Sequence, residues 1–195
     1  MDNTLAAILG HVNKDAAASS DKLIRKFGSL VGVAEADMLA VSDALDGDMT
    51  TSLYIKLVSA LVSRRVCDAF KLGKKHTEEE ICEYLVSLFF GLSIETVYLL
   101  SVKDGKITAC ERAGEGTVNT SNVLPRRLIE IAKRHKADSV IIAHNHPGGY
   151  ATPSDDDKSG TRILYEFFTA SGVRLLAHYV VAGLECRKID FNQDR

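Results

Sequence analysis

Apolar residues recur at helical spacing through the first 65 residues, and Gly, Asp and Ser separate the groups. The spacing predicts short helices, with no strand between them, at residues 5–9, 23–27, 37–45 and 52–65. The last of these is the clearest, because Leu53, Leu57, Ala60 and Leu61 fall on one face. The polar stretch 71–77 that follows is typical of a linker.

Helical and strand patterns alternate in the rest of the chain. Thr77 and Glu80 form a capping-box pattern ahead of an apolar helix that ends near Gly91. Two strand-like runs, TVYLLSV and ITACERA, lie on either side of Asp104-Gly105, and this dipeptide is a strong hairpin signal.

The alternation continues to the end of the chain. A Gly-rich loop leads to a helix that begins at Pro125, and the run SVIIA has no polar alternation, which is typical of a strand buried on both faces. A further helix ends at Gly172, and VRLLAHYVVAG opens the last strand pair. The pattern predicts an α/β domain built on a mixed sheet.

Composition is that of a soluble globular protein, with 46% hydrophobic and 26% charged residues in a chain of 195. No apolar run approaches the roughly 18 residues of a membrane span, and no secretory signal pattern is present, so we expect no membrane association. Cys67, Cys82, Cys110 and Cys186 form no close pair. This spacing argues against a disulfide framework or a Cys-rich zinc site and favours a cytoplasmic protein with reduced cysteines.

Charge does not favour nucleic-acid binding. The net charge is −2 and the pI is about 6.3, whereas proteins that bind a nucleic-acid backbone usually carry a clear basic excess. Residues 1–75 contain ten Lys or Arg against nine Asp or Glu, a net charge of +1.

The run VIIAHNHPGGYATPSDDD carries the candidate chemistry. His144 and His146 continue from the buried strand, and side chains two residues apart on a strand point to the same side, while Asn145 faces away. Ser154 fits the N-cap of the next helix, and Asp157 falls in its first turn. Two imidazoles and a carboxylate suit Zn²⁺ with water in a fourth position, where the water becomes a nucleophile.

Each part of this set also has a simpler explanation. A single histidine is more often a hydrogen-bonded polar residue than a ligand, and aspartates at 155–157 suit a helix N-terminus through their charge alone. The joint placement favours a metal, because a surface loop has no reason to put His144 and His146 at the end of an apolar strand.

The spacing of His144, His146, Ser154 and Asp157 matches H-x-H-x7-S-x-x-D, the signature of the JAMM (MPN+, JAB domain) metalloproteases. HNHPGG followed by TPSDDD resembles the RadC-like branch, named after the DNA repair protein RadC, and the resemblance covers about residues 77–190. It implies the JAMM/MPN fold, a cytidine deaminase-like α/β domain whose mixed sheet is flanked by helices. A small all-α domain similar to helix-hairpin-helix domains would precede it.

The resemblance also implies roles for individual residues. His144, His146 and Asp157 would bind one Zn²⁺, and Ser154 would donate a hydrogen bond to the oxyanion formed during attack on a carbonyl. The simpler role of Ser154 is the helix cap, and both roles can coexist only if the hydroxyl can face the metal.

The general base of the family would be Glu95, which stands immediately before the first strand of the domain. The alternative is a solvated residue at a helix–strand junction. Glu111 and Glu115 are competitors that lie closer to the zinc motif in sequence. The chain departs from the family at Ala177, where an acidic residue usually precedes His178; of the two roles open to His178, partner of a ligand or core histidine, we favour the core histidine.

The N-terminal helices depart from the helix-hairpin-helix pattern. A Gly-x-Gly hairpin that could hold a phosphate is replaced by Gly47 between Asp46 and Asp48, whose carboxylates would repel DNA. We therefore interpret residues 1–70 as a degenerate helix-hairpin-helix-like domain for packing or protein contact, 71–77 as a linker and 78–195 as the RadC-like JAMM/MPN metal-binding domain.

Two hypotheses of function follow. The first is a zinc-dependent hydrolase that cleaves a peptide or isopeptide bond in a protein or peptide substrate. The alternative is a DNA repair or recombination accessory protein that uses the helical domain for DNA and the metal domain structurally. HNH nucleases and zinc deaminases are disfavoured, because their motifs have a different spacing or are missing.

Overall fold

The computed structural model describes residues 3–116 and 125–191. Residues 117–124, between the Gly-rich loop and Pro125, therefore lie outside the described residues, as do residues 1–2 of the first predicted domain and 192–195 of the second. The chain forms two compact units, Met1–Arg65 and Val66–Arg195. Each unit is described by itself.

The first unit is helical. Its helices are α1 Thr4–Leu9, α2 Ala16–Phe27, α3 Leu30–Glu35, α4 Met38–Ala44 and α5 Met49–Ala69, the last of which continues past the end of the unit. Three of the four predicted helical segments fall within these helices, and the fourth, 37–45, exceeds α4 by one residue at each end. Helix α3 was not predicted. Leu9, Leu23, Val33, Val41 and Ile55 form the core of the unit.

The face of α5 that is buried in the first unit is not the apolar face that the sequence indicated. Leu53, Leu57 and Leu61 are each more than half exposed, at 60%, 54% and 61%, whereas Ser52 and Ile55 are buried. Only the first part of α5 contributes to the core of the first unit. There the Ser52 hydroxyl donates to the Asp48 carbonyl at 2.8 Å. Neither α5 nor any other helix in the described ranges has the length and apolar character needed to cross a membrane.

The second unit is built on a mixed five-stranded sheet, as predicted. Its elements are α6 Glu78–Phe89, β1 Thr96–Lys103, β2 Lys106–Glu115, α7 Pro125–Arg134, β3 Ser139–Asn145, α8 Asp155–Ala170, β4 Arg174–Ala182 and β5 Glu185–Lys188. The strand order is β2-β1-β3-β4-β5, and only β3 and β4 are parallel. The predicted turn joins β1 and β2, with positive φ at both Asp104 (52°) and Gly105 (71°).

The pleat divides the strand residues between two hydrophobic cores. Leu99 and Ile142 pack on one face with residues of α7 and α8, among them Phe168. Their neighbours Leu100 and Ile141 pack on the other face with residues of α6. Every residue of β3 is buried, as expected for a strand covered on both faces.

The predicted linker packs as part of the second unit. Gly73 N–H donates to the Ile107 carbonyl at 2.7 Å, and Ile107 N–H donates to the Lys74 carbonyl at 2.9 Å, so this stretch borders β2. The predicted capping box is confirmed, because Thr77 and Glu80 hydrogen-bond each other's backbone at the start of α6.

Candidate metal centre

Two histidine rings meet at the carboxyl end of β3. His144 shares the face of Ile142, which α8 covers, and His146 follows one residue beyond the strand. The His146 N–H donates to the Val181 carbonyl at 2.8 Å, which extends the pairing with β4 past the end of the strand. The two Nε2 atoms lie 3.1 Å apart, and the His144 ring is fully buried.

The carboxylate of Asp157 reaches both rings from the first turn of α8. Its Oδ1 lies 3.0 Å from His144 Nε2, and its Oδ2 lies 3.4 Å from His146 Nε2. Asp157 is only 4% exposed, so the carboxylate is not a solvated group at a helix end. The structure therefore brings together the three side chains predicted as ligands, and the ligand role itself stays a prediction.

Ser154 is the N-cap of α8. Its Oγ accepts from Asp157 N–H at 3.1 Å and donates to Asp157 Oδ2 at 2.7 Å, while its backbone N–H donates to the same Oδ2 at 2.7 Å. A hydroxyl has a single hydrogen, and here that hydrogen is used on Asp157. The oxyanion role predicted for Ser154 would require the hydroxyl to turn away from this partner.

Glu95 lies beside the two rings. It offers a carboxylate oxygen to a group with His144 and His146 in which all the ligand atoms lie within 4.8 Å of one another. Its Oε1 is buried and has no hydrogen-bond partner among the described residues. Buried polar atoms rarely lack a partner, so this oxygen is a candidate contact for a further group in the site.

The competing glutamates are engaged elsewhere. Glu111 lies 3.0 Å from His135 Nε2 and 3.3 Å from a guanidinium nitrogen of Arg134. Glu115 accepts from the Arg112 guanidinium at 2.7 Å. Neither belongs to the cluster at the end of β3.

Comparison with known proteins gives the family of this chain. The family model for the RadC-like JAB domain matches residues 75–190. The chain belongs to the RadC-like JAB domain family. It is 30% identical over 178 residues to a UPF0758 protein of Herminiimonas arsenicoxydans, covering 90% of this chain and 79% of the relative. A UPF0758 protein of Janthinobacterium sp. (strain Marseille) is 32% identical over 90% of this chain and 79% of the relative. A UPF0758 protein of Vibrio atlanticus is 32% identical over 83% of this chain and 73% of the relative.

The predicted family and fold class are thereby confirmed. The names of these relatives state no substrate or activity. A possible metal-binding group in a JAB domain fits the chemistry predicted for the family, and the identity of the metal stays a prediction.

The ring nitrogens of this JAB domain fit a metal ion. His146 Nδ1 lies 3.0 Å from the Tyr150 carbonyl, which can only accept, so in the neutral ring Nδ1 carries the hydrogen and Nε2 carries a lone pair. His144 Nδ1 is likewise used, at 2.9 Å from His178 Nε2. Both Nε2 atoms therefore face each other and Asp157. Two imidazoles and a carboxylate at this spacing match the ligand set of an open zinc site.

The pKa values of the two carboxyl groups of the site are shifted in opposite directions. Burial raises the pKa of Asp157, but its contacts with His144 and Ser154 outweigh burial and hold that pKa well below the usual range. Burial raises the pKa of Glu95, and nearby His144 and His146 reduce this effect. Asp157 is therefore a permanent anion near neutral pH, whereas Glu95 is a better proton acceptor than an exposed glutamate.

The preference for His178 as a core histidine agrees with its full burial, and the ring also contacts a candidate ligand. His178 is fully buried, but its Nε2 lies 2.9 Å from His144 Nδ1 and its Nδ1 lies 2.7 Å from Thr161 Oγ1. Burial, followed by the nearby His144, holds the pKa of His178 well below its ordinary value. His178 is therefore a neutral ring that contacts a candidate ligand directly.

Asn145 connects the strand of the histidines to the segment that carries Glu95. Its Oδ1 accepts from Thr96 N–H at 2.8 Å, and its Nδ2 lies 3.4 Å from the carbonyls of both Leu92 and Ile94. The amide orientation is unambiguous, because a backbone N–H only donates and a carbonyl only accepts. These bonds hold the backbone on both sides of Glu95.

Sequence reasoning missed Thr161, Tyr150 and the role of Asn145. Thr161 lies four residues after Asp157, so helical spacing could have placed both on one face of α8. For Asn145, the available signal was a polar amide at the end of a strand that the sequence predicted to be buried on both faces. Tyr150 takes part through its backbone carbonyl, which no side-chain pattern reveals.

Proposed function

We propose that this RadC-like JAB protein is a zinc-dependent hydrolase that cleaves a peptide or isopeptide bond in a protein or peptide substrate. The observation that carries the proposal is the meeting of His144, His146 and Asp157 within 3.0–3.4 Å, beside a glutamate whose buried oxygen has no partner in the described part of the chain. Zn²⁺ held there would act as a Lewis acid that polarises a carbonyl and lowers the pKa of water.

The residues of the chain would divide the work. His144, His146 and Asp157 would hold the ion, with Asp157 supplying its negative charge. Glu95 would accept a proton from the attacking water and deliver it to the leaving amine, which its raised pKa and its place beside the rings suit. Ser154 would support Asp157 through its two hydrogen bonds and would stabilise an oxyanion only after turning its hydroxyl.

Metal content tests the binding half of the proposal. Purified protein should contain about one zinc ion per chain, and His146→Ala should lose it because one of three ligands is removed. Glu95→Gln should retain the zinc, since this position is assigned to the base.

Cleavage tests the other half. The zinc-loaded protein would be incubated with a proteome-derived peptide library and with lysine-branched isopeptides, and new amino termini would be counted by mass spectrometry. Glu95→Gln should lower the rate by about 10²–10⁴, the usual contribution of a general base. Equal cleavage by the wild type and Glu95→Gln would contradict the role of Glu95.

The same preparation separates the two hypotheses. DNA binding would be measured at several salt concentrations, because phosphate contacts give a steep decrease of affinity with salt. Steep salt dependence, together with intact zinc and no cleavage of any library member, would favour the DNA accessory role.

A further inference from the structure

Four buried residues form a closed ring of polar contacts beneath the candidate metal centre. His144 Nδ1 lies 2.9 Å from His178 Nε2, and His178 Nδ1 lies 2.7 Å from Thr161 Oγ1. Thr161 Oγ1 lies 2.5 Å from the backbone carbonyl of Asp157, whose carboxylate returns to His144 Nε2 at 3.0 Å. None of the four is more than 4% exposed, and they come from β3, β4 and α8.

The hydrogens in this ring can be assigned from one end. The Asp157 carbonyl can only accept, so the Thr161 hydroxyl donates its single hydrogen there. Thr161 must then accept from His178, which places the one hydrogen of the neutral His178 ring on Nδ1 and leaves Nε2 as an acceptor. His178 Nε2 in turn requires the hydrogen of His144 on Nδ1. With a cation bound, the lone pair of His144 therefore lies on Nε2, which faces Asp157 and His146.

We propose that His178 and Thr161 are positioning residues that fix the tautomer and the ring orientation of His144 and thereby set the affinity of the site for a divalent cation. The inference rests on the proposed metal-dependent function. Its physical reason is that a histidine ligand binds best when its other nitrogen donates to a fixed acceptor, and loss of such a partner commonly weakens metal binding by about 10–100-fold.

The chain also couples the two elements that carry the ligands. Thr161 lies on α8, one helical turn after Asp157, and His178 lies on β4 beside β3. A shift of α8 relative to β3 would therefore break the ring and also move the Asp157 carboxylate away from His144. An ordinary buried threonine that bonds only its own helix would have no such effect.

Paired variants separate these alternatives. Thr161→Val removes the hydroxyl at nearly constant shape, and Thr161→Ser retains it. His178→Leu removes the acceptor for His144, whereas His178→Gln can place an amide oxygen where Nε2 stood. Thr169→Val is the matched control, because the Thr169 hydroxyl also donates to a carbonyl four residues earlier on α8, at 2.7 Å, but is exposed.

Affinity for Zn²⁺ would be measured by competition with a chromophoric chelator. We expect about tenfold weaker binding for Thr161→Val and about 10–100-fold weaker binding for His178→Leu. Thr161→Ser, His178→Gln and Thr169→Val should stay within about threefold of the wild type. Wild-type affinity in both Thr161→Val and His178→Leu would overturn the inference and leave the proposed function standing. A wild-type protein that binds no zinc would overturn both.

Nitrogen-15 NMR of the histidine rings gives a second readout, part of which the wild type alone supplies. At about pH 8 the zinc-loaded wild type should show His178 as the Nδ1–H tautomer. Thr161→Val should weaken this preference in His178, whereas a purely structural threonine would leave it unchanged. A wild-type His178 found in the Nε2–H tautomer would overturn the inference.

Discussion

Replacement of Asn145 by leucine should loosen the segment that carries Glu95 without removing a candidate ligand. The amide lies on the opposite face of β3 from His144, and its three contacts bracket Glu95 from Leu92 to Thr96. Leucine has the same branching and the same number of side-chain heavy atoms, and it can take over none of these hydrogen bonds. The variant therefore tests the polar contacts with little change in packing.

The expected cost follows from which groups lose their partner. Thr96 is fully buried, and its N–H would be left without an acceptor, which costs about 1–3 kcal/mol. The two contacts from Nδ2 are long at 3.4 Å, so each adds only about 0.5 kcal/mol or less. We expect Asn145→Leu to lower the free energy of unfolding of the second unit by about 2–3 kcal/mol.

Urea unfolding and amide hydrogen exchange would measure the effect. The Thr96 amide should exchange roughly 30-fold faster, the change that about 2 kcal/mol of local stability produces. Ser101→Ala is the matched control, since the Ser101 hydroxyl is buried in the same sheet but has no hydrogen-bond partner among the described residues. This control should be neutral or slightly stabilising. A loss below about 0.5 kcal/mol in Asn145→Leu, with unchanged exchange at Thr96, would refute the reasoning.

Three further predictions concern stability. Glu95→Gln should stabilise the chelator-treated protein at neutral pH by about 1 kcal/mol, because burial raises the pKa of the Glu95 carboxyl, whose buried oxygen has no partner within residues 3–116 and 125–191. The gain should fade as pH falls towards about 4.3, below which the glutamate is protonated in both states, and an equal or lower thermal midpoint near pH 7 would contradict it. Hydrogen bonds from Thr51 lower the pKa of Asp48, so the contribution of Asp48 to the free energy of unfolding is present above the unfolded pKa of about 3.9 and is lost as pH falls. Asp48→Asn should therefore reduce the acid sensitivity of the first unit in urea unfolding. Phe168→Ala should cost about 3–5 kcal/mol because Phe168 is fully buried in the sheet core, whereas the neighbouring Phe167, 48% exposed, should cost less than about 1 kcal/mol when replaced by alanine.

Much of the fold could be predicted because local signals and burial agree in the second unit. The Asp104-Gly105 turn, the capping box at Thr77 and the unbroken apolar run of β3 each indicate one structure, and each is found. The two-residue period of a strand also placed His144 and His146 on one side. These features depend on neighbours in sequence, which a pattern can report.

Features that depend on distant partners were not predictable. Leucines spaced along α5 indicated a helix correctly, but the first unit buries the face that carries Ser52 and Ile55. The contacts of His178 could not be predicted, because its apolar neighbours on β4 do not show that the His144 ring lies beside it on β3. Its contacts with His144 and Thr161 arise only when β3, β4 and α8 assemble.

The topology explains why this site forms where it does. Parallel strands β3 and β4 are joined by α8, so the chain leaves the carboxyl end of β3 and begins a helix nearby before it returns as β4. A strand end and a helix start are thereby adjacent, which lets His144 and Asp157 meet although thirteen positions separate them in the sequence. The positive end of the helix dipole would disfavour a cation there, and the Asp157 charge, held by the Ser154 cap, reverses the local field. The capping bond thus serves both the start of α8 and the electrostatics of a cation site, so Ser154→Ala should weaken zinc binding as well as the helix.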